Sequence, residues 1–129
     1  MHLLSAMREI HGHLWSVDIK YSHRAHRRAI AWGVMPYWTF TEACSWDWTP
    51  PEGLFDLAFI DGDHANVAKD WEKFEPLVRP GGILLLHDYI GPQSQGPRTL
   101  VDEVIRPQWQ RWECATLPYS YGLTIVRKR

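Results

Sequence analysis

The chain has 129 residues, 45% hydrophobic and 22% charged, and its 14 Lys and Arg against 15 Asp and Glu give a net charge of −1. These values predict a single globular domain over residues 1–129 and argue against nucleic acid or membrane as the main partner, because both select a strong basic excess. Two cysteines without paired spacing, and no long apolar run, indicate neither a disulfide framework nor a membrane span, so we expect a cytoplasmic protein.

The first part of the chain predicts two helices and two strands in alternation. Apolar residues at helical spacing predict a short helix over residues 2–10, and the pattern of residues 14–19 resembles a strand. Ser22 can cap a second helix that runs to Gly33. The aromatic and β-branched residues of segment 37–43 then predict a second strand.

The middle of the chain predicts a β-α-β unit. Two short apolar runs, residues 54–60 and 83–86, are bounded by turn residues, which is typical of strands buried on both faces of a parallel sheet. The second run is expected to open after the turn residues 80–82. Between the runs, apolar residues at steps of four, three and four predict a helix over residues 66–78, with one apolar stripe: Val67, Trp71, Phe74 and Val78.

The last part of the chain predicts one more helix and a hairpin. Pro97 suits the first turn of a helix that runs to about Ile105. Segments 112–117 and 122–127 then resemble two strands around Pro118. The whole order predicts an α/β fold, an open Rossmann-like and mostly parallel sheet that ends in a C-terminal antiparallel hairpin.

Acidic and imidazole side chains stand at the ends of the predicted strands. In open α/β sheets, ligands bind beyond the carboxyl ends of the strands, so the fold would gather these residues at one rim. The residues concerned are Asp18, Asp61, Asp63, His87 and Asp88. Each has an ordinary structural alternative as well, since strand-end carboxylates commonly cap the next helix, and Asp63 is well placed to do so.

Three of these residues predict a divalent metal site. Asp61 and Asp88 offer carboxylates suited to Mg²⁺ or Mn²⁺, and the imidazole of His87 extends the choice to Fe²⁺ or Zn²⁺. Asp63 would be near enough to act as a base on a metal-bound hydroxyl, and His64 is the competing catalytic candidate. Their spacing alone does not separate the two.

The same residues carry a family resemblance. The motif residues resemble the second half of the class I S-adenosylmethionine-dependent methyltransferases, and most of all the small-molecule O-methyltransferase branch that includes cephalosporin hydroxylase-like proteins. The segments that carry the resemblance are residues 55–64, 69–71, 77–83 and 87–89. It implies a strand order of 3-2-1-4-5-7-6 with the last strand antiparallel, and an enzyme that methylates the hydroxyl of a small molecule.

The resemblance also implies roles for individual residues. Asp18 would hold the ribose hydroxyls of the cofactor, and Ser45 and Asp47 would flank its adenine. Asp61 would lie at both the cofactor and the metal, with His87 and Asp88 as the other metal ligands and Asp63 as the proposed general base. Such an enzyme chelates a substrate hydroxyl, lowers its pKa and aligns the oxygen with the methyl sulfonium.

The sequence departs from this family at its start. The family's first strand and its glycine-rich turn are absent, which implies an N-terminally truncated methyltransferase fold with a gap at the centre of the sheet. Either the chain is a fragment or a shortened variant, or the strand ending at Asp18 pairs directly with the strand ending at Asp61, or a second copy fills the gap. We favour the first, because unpaired central strands would leave backbone groups unsatisfied, and we expect weak or no binding of S-adenosylmethionine by these 129 residues.

Two other functions stay open. The acid-x-acid pattern of residues 61–63 also occurs in metal-dependent glycosyltransferases, and the absent cofactor turn suits a non-catalytic remnant or an assembly module. The tryptophans add further expectations: Trp71 and Trp32 should pack inward, and Trp109 and Trp112 are candidates for a homodimer contact.

Overall fold

Within the described residues, four α-helices and six strands follow one another in the order that the sequence predicts. The computed structural model describes residues 2–119 and 121–129. The helices are His2–Glu9 (α1), His23–Ala31 (α2), Val67–Phe74 (α3) and Gln95–Thr99 (α4). The strands are Leu14–Asp18 (β1), Trp38–Glu42 (β2), Phe55–Ile60 (β3), Val78–Leu86 (β4), Trp112–Leu117 (β5) and Leu123–Lys128 (β6).

The strands of the described residues form two sheets. Strands β1 and β2 pair in parallel, and the other four lie in the order β3-β4-β6-β5, with β3 and β4 parallel and β6 antiparallel to both of its neighbours. In the expected order 3-2-1-4-5-7-6, the first sheet corresponds to strands 3-2 and the second sheet to strands 4-5-7-6. The two orders confirm the mixed α/β fold with a C-terminal antiparallel hairpin. The described strand pairs do not include β1 with β3, so the direct pairing considered above is wrong.

The chain divides into two compact units, Met1–Pro50 and Pro51–Arg129. That the whole chain behaves as a single domain stays a prediction. In the first unit, Ser22 caps α2 as expected, because its Oγ accepts a hydrogen bond of 3.2 Å from the backbone N–H of Ala25.

The core of the first unit is small, and it corrects one expectation. It is built on Leu4, Ala29 and Val34, which are almost fully buried. Trp32 is 48% exposed, so the prediction that it packs inward is wrong. Helix α2 ends at Ala31, and the chain then turns through Trp32 so that Val34 fills the core instead.

The second unit has the larger core, which lies between α3, the four-stranded sheet and residues 95–108, which we call the C-terminal helical segment. The ring of Trp71, which is buried as predicted, meets the ring of Trp112 edge to face at a centroid distance of 5.4 Å. The buried core residues are Ile60, Val67, Trp71, Val78, Leu84, Leu86, Leu100, Val101, Ile105, Trp112 and Val126. This packing fixes the carboxyl ends of β3 and β4 relative to α3.

Two predicted boundaries around β4 are wrong. Helix α3 ends at Phe74 instead of residue 78, because Pro76 cannot donate the next helical hydrogen bond, and a 3₁₀ turn, Glu75–Leu77, follows. The turn residues 80–82 lie within β4 and do not precede it, since a bulge shifts the register of the β3–β4 pair there. Gly82 is needed at this point, because a Cβ would lie 2.6 Å from Cγ1 of Val78.

The C-terminal helical segment extends well beyond α4. Helix α4 continues as a π-helical stretch, Leu100–Ile105, and then as a 3₁₀ turn, Arg106–Gln108. The predicted helix that begins around Pro97 is therefore present. No helix in the described part of the chain combines the length and apolar character needed to cross a membrane. The cytoplasmic location stays a prediction.

Candidate functional site

The candidate site forms where β3 and β4 end side by side. Ile60 is paired with Leu86 at the end of the parallel ladder, and the N–H of His87 donates to the carbonyl of Ile60 at 3.2 Å. Asp61, which follows β3, and Asp88, which follows β4 and His87, therefore lie at the same edge of the sheet. This is the edge at which open α/β sheets bind their ligands.

The side chains of Asp61, His87 and Asp88 converge at this edge. Nδ1 of His87 lies 3.3 Å from Oδ1 of Asp61 and 3.0 Å from Oδ2 of Asp88. One ligand atom from each of the three residues lies within 4.8 Å of the others, and no other such group of three occurs in the described residues. Two carboxylates and an imidazole fit a divalent cation of the Mg²⁺ to Zn²⁺ range. Metal binding itself stays a prediction.

His64 joins these residues from the other side. Its Nε2 lies 2.8 Å from Oδ2 of Asp88, and because an ionised carboxylate only accepts, the ring donates this hydrogen bond. Both side chains are largely covered, with 27% and 21% of their surfaces exposed. Gly96 packs against the backbone of His64 so closely that a Cβ there would overlap the His64 carbonyl oxygen. His64 is thus held by both its ring and its backbone. We call Asp61, His64, His87 and Asp88 the strand-end cluster.

Asp88 has an uncommon backbone conformation. Its φ is +61°, in the left-handed region that Asp and Asn adopt more readily than other non-glycine residues. The turn redirects the chain from β4 towards the terminal hairpin, where the N–H of Tyr89 donates to the carbonyl of Gly122 at 3.2 Å. The carboxylate of Asp88 is left between the rings of His64 and His87 as a result.

The two carboxyl groups of the strand-end cluster have different acidities. Burial raises the pKa of Asp61 above its ordinary value, and the attraction of His87 only partly offsets this. Burial acts in the same direction on Asp88, but hydrogen bonds and attraction from His87 and His64 bring the pKa of Asp88 below its ordinary value. Neighbouring carboxyl groups whose pKa values move apart are typical of sites that do acid–base chemistry.

Asp63 lies outside the strand-end cluster. Its exposed carboxylate accepts hydrogen bonds from Nδ2 of Asn66 at 2.7 Å and from the N–H of Ala65 at 3.0 Å, and so caps the short 3₁₀ turn that begins at His64. These hydrogen bonds, that from Asn66 most of all, lower the pKa of Asp63. The structure confirms the capping contact, and the role of Asp63 as a base stays a prediction.

The expected ribose and adenine residues lie in the first unit. Asp18 ends β1, and its Oδ1 accepts from the N–H of Lys20 at 3.0 Å. Strand β2 is the parallel neighbour of β1, and the chain leaves it through a turn that contains Ser45 and Asp47, in which the N–H of Asp47 donates to the carbonyl of Cys44 at 3.1 Å. Asp18, Ser45 and Asp47 therefore follow the carboxyl ends of neighbouring strands. Their contact with a cofactor stays a prediction.

A groove runs beside the strand-end cluster within the second unit. It has a volume of about 820 Å³ and lies between the start of α3 and the C-terminal helical segment. Its lining includes Asp63, His64, Leu100 and Val104. Its volume lies in the range of sites that hold small organic molecules in other proteins.

One polar network at this edge was not foreseen from the sequence. The hydroxyl of Tyr89 lies 3.0 Å from each carboxylate oxygen of Asp102, and Nη1 of Arg106 donates to the same hydroxyl at 3.1 Å. The only local signal was the spacing of four residues between Asp102 and Arg106, which is typical of a helical ion pair. Nothing in the sequence tied this pair to Tyr89.

Comparison with known proteins gives a family and a fold. The family model described as a methyltransferase domain matches residues 1–89, more than half of the chain. No curated protein sequence matches this chain. Several solved structures share the fold at sequence identities below 25%, and the chain spans about 60% of their length.

Three of these structures illustrate the likeness. A protein from Corynebacterium glutamicum is 23% identical, with a TM-score of 0.72 and coverage of 90% of this chain and 60% of that one. An O-methyltransferase from Bacillus cereus, in complex with SAH, is 17% identical, with a TM-score of 0.74 and coverage of 92% and 63%. The O-methyltransferase TomG from Streptomyces achromogenes, in complex with SAM, is 16% identical, with a TM-score of 0.75 and coverage of 91% and 62%.

Proposed function

The chain belongs to the methyltransferase-domain family, and on this premise we propose that it transfers a methyl group from S-adenosylmethionine to a hydroxyl group of a small molecule. One observation carries the proposal, namely the grouping of carboxylates and imidazoles at the ends of two neighbouring parallel strands: Asp61, His64, His87 and Asp88. A methyl acceptor must lose its hydroxyl proton, and this grouping supplies both a proton acceptor and charges that orient it.

For the cofactor, we propose that Asp18 binds the ribose hydroxyls and that Ser45 and Asp47 flank the adenine. Asp18 is exposed at the carboxyl end of β1, where doubly wound sheets place the acid that binds a ribose. The complexes of the Bacillus cereus enzyme with SAH and of TomG with SAM support the choice of cofactor. Asp61, at the end of β3, is a further cofactor residue of the proposal.

For proton transfer, we assign the general base to His64 in preference to Asp63. When Nε2 of His64 donates to Asp88, the other ring nitrogen is left unprotonated and able to accept a proton. A base that is oriented by a carboxylate is a recurring catalytic arrangement. The carboxylate of Asp63 is the weaker base, because both of its oxygens already accept hydrogen bonds.

A divalent cation would be held by Asp61, His87 and Asp88. When bound, such a cation would lower the pKa of the acceptor hydroxyl. The donor set fits this assignment, since two carboxylates and one imidazole are close enough to share one ion. We keep Mg²⁺ or a related cation as part of the proposal.

The chemical step exchanges one bond for another. The bond between the methyl carbon and the sulfonium sulfur breaks as a bond between that carbon and the acceptor oxygen forms, and S-adenosylhomocysteine leaves. The proton of the hydroxyl passes to His64. Holding the acceptor and the methyl group in line contributes much of the acceleration, because no bond to the protein has to form. The groove beside His64 supports a small molecule as acceptor.

The two alternative functions, a metal-dependent glycosyltransferase and a non-catalytic module, would give different experimental results. A glycosyltransferase would use both carboxylates of residues 61–63 around one metal, but Asp63 caps its own turn and is not one of the three convergent groups of the described residues. A remnant or assembly module would show no transfer at all. The small-molecule class of the acceptor, the homodimer and the cytoplasmic location remain proposals from the sequence.

The proposal is tested with the 129-residue chain, methyl-labelled S-adenosylmethionine and a panel of catechols, phenols and sugars, with and without Mg²⁺. We expect labelled product that requires the chain and that falls at least tenfold in Asp88→Asn. The matched control is Asp56→Asn, the same chemical change in a carboxylate that is exposed at the other end of β3. No labelled product with any acceptor would overturn the proposal, and turnover of a nucleotide sugar instead would favour the glycosyltransferase.

A further inference from the structure

We propose that Tyr89, Asp102 and Arg106 are positioning residues that hold the left-handed turn at Asp88 and so keep its carboxylate beside His64. We call these three residues the Tyr89 network. The inference concerns how the strand-end cluster is held in shape, and it rests on the proposed function only where it predicts an effect on methyl transfer.

The Tyr89 network is tightly connected. The hydroxyl of Tyr89 donates to the carboxylate of Asp102, from whose two oxygens it lies 3.0 Å away. Nη1 of Arg106 donates to the Tyr89 hydroxyl at 3.1 Å and also to Asp102. Every member therefore contacts the two others, so the position of the Tyr89 hydroxyl is defined from two directions.

The Tyr89 network is anchored in the sheet. Nη2 of Arg106 donates to Oγ1 of Thr116 on β5 at 3.1 Å, and the hydroxyl of Thr116 lies 3.0 Å from that of Thr124 on β6. Thr124 is completely buried. The guanidinium of Arg106 also stands 5.2 Å from the centre of the Tyr89 ring, a distance at which a cation is attracted to the ring. The side chain of Tyr89 is therefore tied to two strands and to the C-terminal helical segment.

Asp88 needs such support because its conformation is disfavoured. A φ of +61° is unfavourable for an L-residue, and it persists only where the surroundings determine it. The backbone is fixed before the turn by the bond from His87 to Ile60, and after it by the bond from Tyr89 to Gly122. The Tyr89 side chain adds a third attachment, immediately after the strained residue.

Tyr89 acts through Asp88 and is not itself a catalytic residue. Its hydroxyl is occupied by Asp102 and Arg106, which leaves the acceptor and the methyl group to other residues. If the side chain is released, Asp88 can relax towards an ordinary backbone conformation, and its carboxylate then moves away from Nε2 of His64. A small displacement of an orienting group is enough to slow a reaction that depends on alignment.

The test compares Tyr89→Phe with Tyr119→Phe. The first removes the hydroxyl at the centre of the Tyr89 network, and the second removes a hydroxyl from a side chain that is 77% exposed. In ¹⁵N-labelled protein, the ring nitrogens of His64 report which nitrogen carries the proton. We expect one tautomer, protonated on Nε2, in the wild type and in Tyr119→Phe, and a mixture of tautomers in Tyr89→Phe.

Kinetics supply the second readout. We expect kcat for methyl transfer to fall roughly tenfold to a hundredfold in Tyr89→Phe, with KM for S-adenosylmethionine within twofold of the wild type. A general loss of structure would change both constants and the circular dichroism spectrum. Thr116→Val is the second variant, for use if Tyr89→Phe does not fold. It removes the hydroxyl that accepts from Nη2 of Arg106, and we expect a smaller fall in kcat than in Tyr89→Phe.

The outcomes separate this inference from the proposed function. An unchanged His64 tautomer in folded Tyr89→Phe, or in Thr116→Val if only that variant folds, would overturn the positioning role. A wild-type chain without methyl transfer would overturn the proposed function, while the tautomer measurement would still decide the role of the Tyr89 network.

Discussion

Nε2 of His64 lies 2.8 Å from Oδ2 of Asp88, although the two residues are 24 positions apart in the chain. Two neighbouring strand ends bring them together, His64 from the turn after β3 and Asp88 from the turn after β4. The contact separates the two candidate bases of the sequence, since His64 is joined to the strand-end cluster whereas Asp63 is bonded within its own turn.

Because of this difference, we expect substitutions of these two neighbouring residues to lower kcat by very different amounts. His64→Gln removes the proposed base, and we expect kcat to fall by roughly 10²- to 10⁴-fold, the usual contribution of general base catalysis. Asp63→Asn keeps an oxygen that can cap the turn, so we expect activity within a few-fold of the wild type. Steady-state rates of methyl transfer for both variants decide the matter, and a larger loss in Asp63→Asn would assign the base to Asp63.

Gly96 predicts a packing effect next to the strand-end cluster. A Cβ at this position would overlap the carbonyl oxygen of His64, so Gly96→Ala forces α4 and the His64 turn apart. We expect the free energy of unfolding to fall by about 1–3 kcal/mol, the usual cost of overpacking. Urea unfolding measures it, with Gly62→Ala as the control, where a Cβ would lie 3.4 Å from Oδ2 of Asp70. Equal stability of the two variants would contradict the close approach.

Ser22 predicts the contribution of one helix cap in the first unit. Ser22→Ala removes the acceptor of the hydrogen bond from Ala25, and we expect the free energy of unfolding to fall by about 1 kcal/mol. Ser22→Asp restores an acceptor and places a negative charge at the helix N-terminus, so it should recover most of the loss. Chemical denaturation of both variants provides the comparison, and an Asp variant no more stable than the Ala variant would argue against the cap.

The thiol of Cys114 is expected to react more slowly in the folded chain than in the unfolded chain. Burial raises the pKa of the Cys114 thiol above its ordinary value, and the nearby Arg106 lowers it only in part. A raised pKa keeps the thiol protonated to higher pH, and only the thiolate is nucleophilic. Alkylation of Cys114 by iodoacetamide, followed by mass spectrometry, should therefore be slower in the folded chain than in guanidinium chloride at the same mildly alkaline pH. Equal rates would show that the thiol is not shielded.

Most of the fold could be predicted from the sequence, because each element has a strong local signal. The steps between apolar residues predict α3, and the Ser22 cap predicts the start of α2. The boundaries that were wrong depend on tertiary pairing. Residues 80–82 resemble a turn in isolation, yet the bulge in the β3–β4 pair takes them into the strand.

The candidate site could be predicted only in part. The gathering of strand-end residues follows from the parallel topology, and the structure brings Asp61, His87 and Asp88 together accordingly. The link between His64 and Asp88 depends on a left-handed turn that no sequence pattern announces. The attachment of Tyr89 to Asp102 likewise depends on how the C-terminal helical segment packs on the sheet.

Titration of the ¹⁵N-labelled chain with S-adenosylmethionine, followed by NMR, tests whether the chain binds this cofactor at the carboxyl ends of its parallel strands. We expect saturable shifts of the backbone amides of Asp18, Ser45, Asp47 and Asp61 at millimolar cofactor concentration. A nucleotide sugar at the same concentration should leave these amides unmoved. The absence of any saturable shift with S-adenosylmethionine at millimolar concentration would contradict the proposed cofactor residues.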